Sequence, residues 1–129
     1  MNKLKKAGLV TLILFYLVAG ANHFRDPASY IKIIPGYLPY PQILNLFAGF
    51  CETGFTIMLV FIKTRNLAAW GIIVMLTAFL PVHISMVADA PIQLGNLTVT
   101  PLLAWIRLIV LQPLLILWAW WYTDKLKVD

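Results

Sequence analysis

The residues able to do chemistry are few. Glu52 falls in the middle of a long apolar stretch, where a lone carboxylate costs about 2.5 to 3.5 kcal/mol on insertion scales. Some partner must offset that cost. Arg107 sits about six residues inside the last apolar stretch and is always charged, so it is the expected partner for Glu52. At 1.5 Å per residue, Glu52 lies roughly 13 Å and Arg107 roughly 9 Å from the same ends of their stretches, a separation that long side chains bridge. His83 lies about 8 Å in by the same measure, and His23 closes the first stretch. His23, Glu52, His83 and Arg107 thus define one expected polar layer, to which Asn45 is added by its spacing from Glu52. Such a layer is suited to proton exchange or to holding an oxygen atom of a ligand. A structural ion pair that only sets helix register is the competing explanation.

Histidine and carboxylate are also ligand types for zinc or iron, but no close-spaced pair such as HxxxH is present, so no metal is expected. Cys51 is the sole cysteine, which excludes an internal disulfide and a CxxC redox pair. It lies beside Glu52 but about 100° around the helix, as a small packing residue would.

The elements that must carry these residues follow from composition. Of 129 residues, 61% are hydrophobic and 12% charged, which is the balance of a membrane protein and not of a soluble domain. Four spans are expected, at about 4–22, 43–62, 67–88 and 101–122, making an all-α bundle of four transmembrane helices in a single domain over 1–129. The first is the shortest and resembles a secretory signal peptide, with Lys3, Lys5 and Lys6 ahead of a short apolar core and Ala19-Gly20-Ala21 after it. We read it as a retained helix, because it places the polar residues that follow Ala21.

The formal charge of +5 does not point to nucleic acid, since the basic residues lie at the ends of apolar runs and form no single face. Lys3, Lys5, Lys6, Lys63, Arg65, Lys125 and Lys127 would all fall on one side of the membrane, which predicts both termini in the cytoplasm, at the inner membrane if the source is bacterial. Trp118, Trp120, Trp121 and Tyr122 are expected to form an aromatic belt at that side, and Tyr30, Tyr37 and Tyr40 at the other.

The connections differ. Lys63 to Asn66 reads as a short turn, whereas the segment from His23 to Gln42 holds Pro27, Pro35, Pro39 and Pro41 among apolar residues and is expected to lie along the outer interface or to cap the bundle as a lid. Gly95 and Asn96 suit a turn or hairpin between Asp89 and Thr100. Asn45, Gly49, Glu52 and Thr56 form one inward helical stripe, and Gly71, Met75, Ala78, Val82, Ser85 and Asp89 a second. Pro81 is expected to free the Thr77 carbonyl and kink the third span.

Ala19-Gly20-Ala21-Asn22-His23-Phe24, Pro27, Tyr30, Ile34-Pro35, Tyr37-Leu38-Pro39-Tyr40-Pro41, Gly49, Glu52-Thr53-Gly54 and Phe79 to Met86 form a pattern that resembles the DoxX-like family of small four-helix membrane proteins. The resemblance implies a four-helix membrane fold. It also suggests a place in a redox-associated system, with a quinone or lipid as ligand, no cofactor held by the chain and electrons supplied by a partner protein. Distant relatives act as assembly chaperones, so an interaction protein that stabilises another membrane protein is the alternative. A transporter would require oligomerisation, because four helices without a repeat make a small pathway. In many members of that family asparagine occupies the position of His83.

Overall fold

The computed structural model describes residues 1–124; Lys125 and Lys127, which enter the charge argument, lie outside the described residues. Four helical spans, Lys3–Arg25, Pro41–Val60, Ile62–Asp89 and Pro101–Trp120, are long and apolar enough to cross a membrane. Large apolar side chains point outward along them, including Val18, Phe47, Val74 and Leu102 at 67–70% exposure, as expected of surfaces that meet lipid. This is the architecture of a multi-pass membrane protein.

Polar caps and prolines set the boundaries. Helix α1 (Lys3–Arg25) starts at Asn2, whose Oδ1 accepts from Lys5 N at 2.8 Å. Asp26 ends α1 and opens α2 (Pro27–Ile33), accepting from Ser29 Oγ at 2.6 Å, with Pro27 in the first turn. The proline-rich connection therefore contains a short helix of its own. Tyr40, at φ 52°, turns the chain into α3 (Pro41–Val60), which also begins with proline.

The turn expected over Lys63 to Asn66 is instead helical. The chain bends at Phe61, and α4 (Ile62–Ala78) starts directly after it. Thr64 Oγ1 donates to Met58 O at 2.7 Å, while Arg65 donates to Leu59 O at 2.9 Å and Val60 O at 3.2 Å. These side chains satisfy the last carbonyls of α3, so the two basic-turn residues act as its C-terminal cap and are free to be helical themselves.

The third span breaks at Phe79, between α4 and α5 (Leu80–Asp89). Pro81 has no N–H to donate backwards, and its ring excludes the preceding turn. The expected kink is present, but the carbonyl that acquires a side-chain partner is that of Leu76, not Thr77: buried Gln112 donates to it. The fourth span has a matching irregularity. Helix α6 (Pro101–Ile106) widens into a π-turn over Arg107–Leu111 before α7 (Gln112–Trp120) resumes, and Gln112 N bonds to Arg107 O. Pro113 explains it: the wider turn relieves the clash of its ring with the carbonyl four residues earlier.

Helices α1 and α3 run antiparallel and in close contact. A Cβ on Gly20 would lie 2.6 Å from Thr53 Oγ1, and one on Gly49 would lie 2.9 Å from His23 Cβ, so both positions require glycine for this approach. Leu12, Tyr16, Leu59, Ile72 and Leu76 form the centre of the core. The aromatic cluster at the end of α7 packs against α1. Trp118 Nε1 donates to Gly8 O at 3.2 Å, and Tyr122, 5% exposed, donates to Lys5 O at 3.0 Å.

At the opposite end, the all-α expectation has one exception. Strands β1 (Ile92–Leu94) and β2 (Leu97–Val99) pair antiparallel around Gly95 at φ 59°, a positive value that suits a two-residue hairpin turn. Val99 joins Met86 and Ala104 in a second small core, and Lys32 Nζ ties α2 to this hairpin through Gln93 O at 2.5 Å.

Candidate functional site

Helix α1 brings His23 to the hairpin end of the bundle, on the same face as Leu9, Leu12, Tyr16 and Gly20. Helix α3 presents Asn45, Gly49, Glu52 and Thr56 as the buried stripe that the spacing predicts. Where the two meet, His23 Nε2 lies 2.6 Å from Glu52 Oε2, and His23 Nδ1 lies 2.8 Å from Asn45 Oδ1. All three residues are buried, at 6%, 6% and 2% exposure. Asn45 Nδ2 donates to His23 O at 3.0 Å, which fixes the amide so that its oxygen faces the ring.

That orientation decides the protonation pattern. Because Asn45 Oδ1 only accepts, Nδ1 carries hydrogen. A bare Nε2 facing a bare carboxylate at 2.6 Å would set two lone pairs against each other, so a proton lies between them. The imidazole is the sole partner of Oε2 among the described residues. Whether written as imidazolium and carboxylate or as imidazole and carboxylic acid, the pair is neutral and holds one transferable proton. The hydrocarbon cost of Glu52 is thereby offset within the bundle.

Tyr30 on α2 covers the pair. Its ring stacks on His23 with centroids 3.9 Å apart and planes 27° from parallel. Its hydroxyl accepts from Asn22 Nδ2 at 3.1 Å, and Asn22 Oδ1 accepts from Arg25 at 2.8 Å. Burial raises the Tyr30 phenol above its ordinary pKa, against the opposing effect of the Asn22 hydrogen bond. Tyr30 thus packs on the pair, while Tyr37 and Tyr40 are exposed at 74% and 71%.

The expected Glu52–Arg107 pair does not form. Glu52 is committed to His23, and Arg107 Nη1 donates to Gln112 Oε1 at 2.6 Å. The π-turn accounts for this, since widening brings residues five apart toward one face. His83 likewise has no hydrogen bond or ion pair to His23 or Glu52 among the described residues. It belongs to α5, beyond the break at Phe79, with Nδ1 buried and unpartnered and within electrostatic range of Arg107. The single expected layer is therefore two centres, one of His23, Asn45 and Glu52 between α1 and α3, the other of Arg107 and Gln112 with His83 nearby.

Two participants were not among the sequence candidates: Gln112 and Tyr30. Gln112 was legible as an amide inside an apolar span beside a proline. Tyr16 lies two turns before His23 on the same helical face, and its hydroxyl is buried without a partner. Cys51 packs against the core, as its rotation from Glu52 predicts.

Two cavities, each about 300 Å³, lie at the ends of the molecule away from His23 and Glu52, one lined by Lys5, Arg65 and Tyr122, the other by Lys32, Asp89 and Gln93. No curated protein and no solved structure matches the chain. Residues 12–123 match the family described as a domain of unknown function, DUF8561, and the chain belongs to that family.

Proposed function

We propose that this protein is a membrane-embedded binding protein whose His23–Glu52 pair exchanges a proton with a small, partly apolar molecule of the quinone class. One observation carries the reading: a neutral pair sharing a proton at 2.6 Å, buried within membrane-spanning helices and fixed in tautomer by Asn45. A ligand oxygen that changes protonation with redox state matches such a pair, which donates or accepts without leaving net charge in hydrocarbon. Helix α2 is the lid. It contributes no buried residue, so lifting it exposes the imidazole at the cost of the Tyr30 stack and a few polar contacts.

The electrons come from a partner protein in a redox-associated membrane system, as the DoxX-like resemblance implies. The termini face the cytoplasm, on the side with most of the lysine and arginine, and the lid and hairpin face outward. In a bacterium this is the inner membrane.

The test uses protein purified in a neutral detergent and a decyl-substituted benzoquinone as probe. Wild type is expected to bind it saturably. Glu52→Gln, which keeps a hydrogen-bonding group beside His23 but cannot exchange a proton, is expected to weaken binding at least about tenfold with an unchanged yield of folded protein, the scale of one charge-assisted contact. Absence of saturable binding, or equal binding by both proteins, would contradict the reading.

A further inference from the structure

At the far end of the bundle from His23, a cavity of about 300 Å³ opens where the start of α1, the start of α4 and the residues after α7 meet. Small-molecule sites run from about 300 to 1,000 Å³, so a compact polar group fits. The wall carries Lys5, Arg65 and Asn66. Arg65 spends Nε and Nη2 on the Leu59 and Val60 carbonyls, and its Nη1 makes no hydrogen bond among the described residues. Those bonds fix the guanidinium without neutralising it. The Lys5 ammonium lies 5.8 Å from the centre of the Tyr122 ring and forms no ion pair among the described residues. Asn66 Oδ1 accepts from Asp124 N at 2.6 Å, so the amide nitrogen is the atom left to donate.

Charge and apolarity narrow the ligand. Asp124 lines the same cavity but pairs with neither cation among the described residues, so Lys5, Arg65 and Asp124 together leave one positive charge. A ligand with one negative charge balances it, whereas a zwitterion leaves it standing. Ile62 lines the cavity too and is 80% exposed, with Phe61 beside it at 60%. A cationic wall that runs into bare apolar surface at the ends of membrane-spanning helices lies where lipid headgroups meet acyl chains.

We infer that this cavity holds the phosphate of a singly charged phospholipid, such as phosphatidylglycerol. Lys5, Arg65 and Asn66 donate to the phosphate oxygens, and the acyl chains pass over Ile62 and Phe61. Lysine and arginine bind phosphate through charge-assisted hydrogen bonds, and basic pockets between membrane-spanning helices are recurrent sites for acidic headgroups. The inference goes beyond the proton-exchange reading and does not rest on it. Lys5 and His23 stand at opposite ends of α1, about 27 Å apart along its axis, and the test uses no quinone.

The experiment titrates protein in neutral detergent with dioctanoyl phosphatidylglycerol and, separately, with dioctanoyl phosphatidylcholine, followed by isothermal titration calorimetry. Wild type is expected to bind phosphatidylglycerol saturably and at least about tenfold more tightly than phosphatidylcholine. That preference is expected to fall about threefold or more in Lys5→Gln and to vanish when Arg65→Gln is added. Lys6→Gln removes the same charge from an exposed side chain outside the cavity and is expected to keep the preference. Equal binding of the two lipids by wild type would overturn the inference, as would an undiminished preference in Lys5→Gln. An equal loss in Lys6→Gln would mark a diffuse effect of charge and overturn it too. Arg65 also caps α3, so should the double variant fail to fold, the comparison of Lys5→Gln with Lys6→Gln decides alone. Millimolar inorganic phosphate is expected not to compete; competition would identify a free-anion site and overturn the lipid.

Discussion

Glu52→Ala is expected to destabilise the folded bundle by about 3 to 5 kcal/mol, the usual cost of removing one partner from a buried ion pair. The loss is large because His23 is held on every side. Asn45 bonds both its Nδ1 and its carbonyl, and Tyr30 stacks on its face, so the ring cannot swing to another partner when the carboxylate goes. Titration from mild detergent into dodecyl sulfate, followed by circular dichroism, measures the effect. The double substitution Glu52→Leu with His23→Leu is expected to recover most of the loss, since exchanging a whole buried pair for apolar groups is often neutral or better. A double substitution as unstable as Glu52→Ala would show that the stripe around these residues, and not their pairing, holds α1 against α3.

Gln112→Leu is expected to have the next largest effect, about 3 kcal/mol. It leaves the Leu76 carbonyl at the break in the third span without its side-chain donor, and it deprives Arg107 of its hydrogen-bond partner. The Leu76 carbonyl then keeps only the long bond from Phe79 N at 3.3 Å, and a lost bond to a charged group costs about 1.5 to 3 kcal/mol. The same unfolding titration applies. A change under about 0.5 kcal/mol would mean that the broken third span satisfies its own carbonyls and that Gln112 is incidental.

Much of this architecture was legible before any coordinates. The four spans follow from apolar length, and the buried stripe of α3 follows from Asn45, Gly49, Glu52 and Thr56 at spacings that return to one face. The pairing of Glu52 was not legible. Depth along a span does not say which neighbour a side chain faces, and α3 lies against α1 as well as α4. Gly20 and Gly49 are what allow that approach, and their role depends on contacts across the interface. The separation of Arg107 and His83 from Glu52 escaped for a different reason. Pro81 and Pro113 each disturb a helix in ways that regular periodicity does not describe, and a π-turn rotates everything beyond it. Gln112 stood in the sequence beside one of those prolines. Its importance shows only when the carbonyl it caps, 36 residues away, is in place.

The central claim is that His23 and Glu52 share one proton inside the bundle, with Nδ1 protonated and held by Asn45. Nitrogen NMR of protein labelled in its two histidines tests this most directly, with His83 assigned by substitution. The account predicts that Nδ1 of His23 bears hydrogen, that a strongly downfield proton correlates with Nε2, and that Glu52→Gln removes this signal. A His23 ring with hydrogen on Nε2 alone, or one whose spectrum is indifferent to Glu52→Gln, would contradict it.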